Sequence, residues 1–491
     1  MSEGNVLKLD IDSLTDFQRK LYNTVNPNDK KDKVNSRFSC IISKYGWSVH
    51  TKAKMVHTAE DGEVIYTASK KFDVIFKSEI NINLFPIRVK DKWKSQIQIC
   101  YGHNLGHNIA YQGEVKIDDD HHQTIDSVWL DIHSQLYMKQ GAGFREHYNR
   151  MVGNLPCLEE WSGELPGIRL PVPQPYYYSK NTRMGLKTLQ SSMNTVTHHY
   201  KIRNKIHEIL RMRCRNPSAP GIGGQNGNDE WQEIPCNLKY LVLPAKEFPI
   251  PELWARYALM TDQEREWFKF DKASGRNGTA TTNGTTKHKT WIEDVMMFTS
   301  NNPIPLGSTD IIPLPCKVPC KAVFWVAQDA KSIENRNFSN YTTNSENLFN
   351  GWNPCSKVDI KYGGTARLEK LSHEHFELSE PWDFFPSAPA EPGYNAWTLG
   401  YEMTSLNADT AIVLGKMNAS LHIKLGDTNP FNTIEDDNSD DDDLIPIETL
   451  QKDNKNKYII HVRALVSKKM TMEWNEKERC LKYLIKDDST K

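Results

Sequence analysis

Tyr101-Gly102-His103-Asn104-Leu105-Gly106-His107-Asn108 opens the stretch whose reading decides the fold. It continues through Met151-Val152-Gly153-Asn154-Leu155 and Leu170-Pro171-Val172-Pro173-Gln174-Pro175-Tyr176-Tyr177-Tyr178-Ser179-Lys180, and ends near Arg203. Glycine, proline and asparagine set rigid corners here, because each fixes or frees the backbone where a chain must turn. Before the first corner, Trp93, Ser95, Ile97, Ile99 and Tyr101 alternate with Lys94, Gln96, Gln98 and Cys100. That is the period-two pattern of a strand with one wet face. Val115 and Ile117 repeat it, as do Ile168, Leu170 and Val172. Residues 127–138 and 144–152 read as helices inserted among the strands, where they cover a barrel end. Such a string describes a shape rather than a reaction.

Outward from this stretch, the rest of the chain continues in strands. At 491 residues it exceeds one typical core, so more than one domain is expected. Residues 1–35 read as an arm, in which Ser13 can cap a short helix that would put Leu14, Phe17 and Leu21 on one face. Pro217–Asp229 is the clearest break in composition. After it come the apolar run 238–243, strands at 253–260, 291–298, 322–327 and 358–362, and the regular alternation of Ala419, Leu421, Ile423 and Leu425. A last pair of strands holds Tyr458, Ile460, Val462 and Ala464, then 481–485. The expected domains are therefore an arm at 1–35, a first β unit at 36–216, a linker at 217–236 and a second β unit at 237–491. The second unit contains a polar loop at 426–457.

Composition excludes several functions. Lys+Arg is 61 and Asp+Glu is 62, for a net charge of -1, whereas a nucleic-acid coat protein carries a basic excess. Lys201, Arg203, Lys205, Arg211, Arg213 and Arg215 are the best nucleic-acid patch, yet no aromatics interleave with them, so they read as a solvated strand face or a subunit contact. The nine cysteines are odd in number and scattered, and Cys316 and Cys320 read as two buried thiols around a proline turn. No apolar run approaches the ~18 residues of a membrane span, and the N-terminus has no secretory signal, so a soluble protein made in a reducing compartment is expected. The acceptor-like triplets at Asn277, Asn283, Asn337, Asn340 and Asn418 then read as polar loops. His103 and His107 have a zinc-like spacing, but the expected glutamate is missing and Gly102 and Gly106 argue against a helix. The acidic run 436–443 lacks the glycine turn and closing glutamate of a calcium loop. No phosphate loop, nucleophile elbow or dinucleotide fingerprint is present. No catalytic residue, cofactor or metal is assigned, and the chain does not read as an enzyme.

The order of the corner blocks resembles the major capsid proteins of nucleocytoplasmic large DNA viruses, iridovirus-like type. The histidine–asparagine corner at 103–108, Met151–Asn154, and the Leu-Pro-x-Pro run into Tyr176–Tyr178 carry the resemblance. So do Arg256–Met260 with Glu264-Arg265, and Ser339–Thr343. Alternation alone gives two β-sandwiches. The resemblance implies an all-β tandem, or double, jelly roll with short helical insertions in its loops. It also implies a late structural protein of the virion, a homotrimer forming a pseudo-hexagonal capsomer that tiles an icosahedral viral capsid assembled in the host cytoplasm. Its partners would be other copies of itself, minor capsid and penton proteins and, through the inward-facing N-terminal arm, internal membrane proteins, with no direct nucleic acid. The loops 275–287 and 426–457 would crown the outer surface. The segment 470–485 departs from the family's glycine-rich ending. The rival readings are a receptor- or glycan-binding jelly-roll penton or minor capsid component, and an assembly scaffold.

Overall fold

The computed structural model describes residues 48–58, 62–138, 143–180, 184–190, 194–215, 231–260, 265, 287–400, 403–404, 412–426, 428, 456–475 and 480–486. The expected arm at 1–35, the acidic run and most of the two polar loops lie outside these residues.

Among the described residues, eight strands frame the first barrel: β1 (Ser48–Lys52), β2 (Glu63–Thr67), β3 (Val74–Asn83), β4 (Gln112–Ile117), β5 (Asp120–Asp126), β6 (Arg169–Gln174), β7 (Val196–Lys201) and β8 (Glu252–Ala258). They pair antiparallel in two sheets, β1-β8-β3-β6 and β2-β7-β4-β5. Lys54–Thr58 adds an outer strand beside β2. The second barrel has β9 (Lys287–Thr299), β10 (Thr309–Pro313), β11 (Cys320–Asp329), β12 (Cys355–Tyr362), β13 (Thr365–Ser372), β14 (Asn395–Thr398), β15 (Ala419–Leu425) and β16 (Lys457–Asn475). Its sheets run β9-β16-β11-β14 and β10-β15-β12-β13. Adding eight to each strand number of the first barrel gives the second. Two four-stranded sheets in this order, placed face to face, are a jelly roll, and the chain contains two.

The alternation read from the sequence does what it should. Val64 and Tyr66 point inward on β2, and Ala419, Leu421, Ile423 and Leu425 on β15. β11 is different, because every residue from Cys320 to Asp329 is buried. Val323, Trp325 and Ala327 fill the second barrel, while Ala322, Phe324 and Val326 join the core that belongs to the first. A strand covered on both faces reads as a continuous apolar run, and 322–327 is one. The sheet containing β11 is therefore the wall the two barrels share.

The expected division at 217–236 is wrong in one physical respect. A jelly roll needs its eighth strand between its first and third, and here that strand is β8 at 252–258, with Tyr257 facing Val49 and Ile75. Leu241–Val242 likewise pairs with Ile87–Val89 of the first barrel, and Trp231–Ile234 pairs with Leu210–Arg215. The break in composition connects two paired strands of one barrel, so the run at 238–243 does not open the second. The second barrel's first strand is β9.

The atypical ending also finds a place. β16 runs on to Asn475 and pairs there with Cys480–Lys486. Met470, Met472 and Trp474 sink into the first barrel's core, and the Tyr483 hydroxyl donates to the Lys187 carbonyl. The last strands thus strap one barrel to the other.

Candidate functional site

A protein whose chemistry is shape has its working site where barrels meet, and the stretch 101–203 builds that seam from one side. Three helices carry it: α1 (Leu105–Ile109), α2 (Ser127–Leu136) and α3 (Phe144–Val152). The glycines did not prevent a helix at 105–109. Gly106 is required there, because a Cβ would lie 2.5 Å from a Val172 methyl. Asn104 takes a left-handed backbone (φ 51°), which asparagine tolerates, and swings the corner into α1. The side chain of Asp126 caps α2 through the Trp129 amide, 2.9 Å away.

Asp131 is fully buried on α2 and gathers both barrels. One carboxylate oxygen accepts from Asn104 Nδ2 (2.9 Å) and lies 2.6 Å from His107 Nδ1, while the other accepts from the Tyr341 hydroxyl of the second barrel (2.8 Å). His107 Nε2 meets the Tyr148 hydroxyl at 2.8 Å. Asn154 closes the corner through Asn104, donating to its Oδ1 and accepting from its amide, both at 2.7 Å. Asn108 Nδ2 reaches Ser339 Oγ at 2.8 Å. His103 lies between two carboxylates, Glu159 at 2.7 Å in its own barrel and Glu391 at 3.0 Å in the other. Farther along, Glu293 of β9 binds Lys321 Nζ of β11 (2.7 Å) and Lys180 Nζ of the first barrel (2.5 Å), and Arg463 of β16 pairs with Asp126. Buried donors and acceptors paired across the seam in this way lock one relative placement of two barrels, since sliding would strand them.

A model of the large eukaryotic DNA virus major capsid protein family matches residues 281–464. The major capsid protein of Tipula iridescent virus is 21% identical over 368 residues, 71% of this chain and 72% of that protein. That of Lymphocystis disease virus 1 is 21% identical over 385 residues, covering 75% and 76%. The chain is similar to these capsid proteins over most of its length. Solved capsid proteins share the fold: the Faustovirus major capsid protein superposes with a TM-score of 0.59 at 7% identity, covering 90% of this chain and 93% of that one. PBCV-1 VP54 gives 0.58 at 12% identity, covering 86% and 94%.

The basic run is a solvated face only in part: Lys201, Lys205 and Arg215 are exposed, whereas the other three arginines turn inward. Arg203 lies between the rings of Tyr111 and Phe338, 4.0 and 4.4 Å from their centroids, and donates to the Asn108 carbonyl. Arg211 is buried against Glu233, and Arg213 packs over Trp161 and Trp231. The aromatics missing from the run itself come from distant strands and loops, so these cations tie the chain together internally. Asn337 and Asn340 lie in a loop, as expected, but are buried there, their amides donating to the Ser345 and Asn344 carbonyls. Asn418 is exposed on a left-handed turn (φ 48°), and Asn277 and Asn283 lie outside the described residues. Cys316 and Cys320 are both buried in the second core.

Buried and half-buried histidines give the fold a two-sided response to pH. Burial pushes His133 and His198 down to about 3, and His122 and His461 to about 4. They stay neutral in the fold but take protons once unfolded below about 6.5, so their stabilising share is full above about 6.5 and drains away as pH falls towards 3–4. His103 does the reverse. Burial alone would lower it, but Glu391 and Glu159 hold its proton up to about 10. Its share is full below about 6.5 and is lost as pH climbs to about 10. Urea midpoints measured from pH 4 to 10 should fall at both ends, and His103→Gln should flatten the alkaline fall alone. An unchanged alkaline limb in that variant would contradict the assignment.

Proposed function

We propose that this chain is the major capsid protein of a large DNA virus, a structural protein and not an enzyme. Three copies close into a six-barrel block that tiles an icosahedral shell. The observation that carries the reading is the repeated strand order. Two barrels of one plan, locked side by side by a buried polar seam, give a three-fold ring nearly six equal sectors, and equal sectors tile a hexagonal net. A closed ring also uses every interface. Minor capsid and penton proteins would bind the block's rim and base, and the arm at 1–35 would face inward, towards membrane proteins. The near-neutral charge suits a shell held away from the genome.

Static light scattering on the purified full chain should give three times the 56.5 kDa of one copy. Electron micrographs of concentrated protein should show hexagonal arrays. A species that stays monomeric at every concentration removes the proposal.

A further inference from the structure

The described surface holds two apolar patches of opposite charge, one on each barrel. The outer strand Lys54–Thr58 is exposed at all five residues, Met55 at 46% and Val56 at 59%, and it is paired on one side through β2. Neighbouring side chains on a strand point to opposite faces, so this edge is apolar on both. An edge of that kind invites association unless something covers it. On the second barrel the helical segment formed by His375–Ser379 and Glu380–Phe384 buries Phe376 and Pro381. It exposes Leu378 at 53% and Trp382 at 79% one helical turn apart, on the same face. Residues 48–58 carry Lys54 and no acidic residue, Lys52 being engaged by Glu252 of its own barrel at 2.6 Å, whereas residues 374–383 carry four carboxylates and no lysine or arginine. Glu374 and Asp383 are the exposed acids beside Leu378 and Trp382.

We propose that the occupant of each patch is the other patch on a second copy of this chain: Met55 and Val56 of one copy dock on Leu378 and Trp382 of the next, with Lys54 facing Asp383 or Glu374. Like patches would bring like charges together, so a self-matching two-fold contact is disfavoured and a head-to-tail one is favoured. Head-to-tail contacts either close into a ring or run on as a fibre. The inference rests on the three-copy reading above and specifies which surfaces close that ring. Trp382 has the size and exposure of an interface anchor.

The test compares light scattering of the full-length chain with that of Trp382→Ala and Met55→Asp. Each substitution should raise the trimer dissociation constant at least ~30-fold, with the melting temperature of the barrels unmoved, because both side chains are exposed. Lys54→Glu should weaken the trimer and Asp383→Lys in the same chain should restore it. A wild-type trimer whose Trp382→Ala and Met55→Asp variants stay equally trimeric overturns this contact and leaves the three-copy reading standing. A wild-type chain that never trimerises overturns that reading itself.

Discussion

Asp131→Ala should cost about 4 kcal/mol of folding stability or more. The carboxylate is fully buried and serves Asn104, His107 and Tyr341 at once. Removing it strands those groups inside the buried seam, and each buried group left unanswered costs roughly 1–3 kcal/mol. A loss of that size belongs to the short list of mechanisms that produce large single-site effects. Asp131→Asn keeps the shape and one acceptor oxygen, so it should lie between alanine and wild type. Urea denaturation at pH 7 reads both through the midpoint, with the slope unchanged while unfolding stays two-state. A shift under ~1 kcal/mol for alanine would mean that the seam's polar network is ornamental.

Glu293→Ala is the second large effect, at about 3–5 kcal/mol, the usual cost of taking one partner from a buried ion pair. Lys321 is 1% exposed and both it and Lys180 rely on this carboxylate, at 2.7 and 2.5 Å. Burial already pulls the Lys180 ammonium down from its ordinary range, and Glu293 opposes that pull. The contrast that separates this account from simple packing loss replaces all three charges. Glu293→Leu with Lys321→Met and Lys180→Met removes the carboxylate and both ammonium groups and fills the volume, and should be far milder than alanine alone. Thermal melts of wild type, Glu293→Ala and the triple replacement decide it. If the triple replacement is as damaging as Glu293→Ala, the cost lies in packing and not in the ion pairs.

Much of the fold was legible because strand periodicity is local. Ala419–Leu425 alternates on its face, and 322–327 is apolar throughout because two cores claim it. The corner residues were legible as shape, since asparagine and glycine at 102–108 have backbone duties any reader can state. Their partners were not. Glu391 lies 288 positions from His103, and Tyr341 lies 210 from Asp131, so no spacing rule links them. The arginines at 203–213 misled for the same reason, their aromatic partners standing on other strands and loops. The barrel boundary failed because a polar, glycine-rich break looks the same whether it joins two domains or two strands of one. Only pairing tells them apart, and β8 pairs backwards across the whole first barrel.

That backward pairing has a consequence on the ribosome. Central strand β3 ends at Asn83, yet β8, the neighbour that sits between it and β1, begins at Glu252. The second barrel repeats the delay, from Thr299 at the end of β9 to Lys457 at the start of β16. About 160–170 residues must emerge in each case, roughly 10–30 s at ordinary synthesis speed. Throughout that interval a nascent chain presents an apolar strand with an open flank, and many such chains are made close together. Yield should therefore respond more to slowed translation and to chaperone supply than to any change that stabilises the finished barrels.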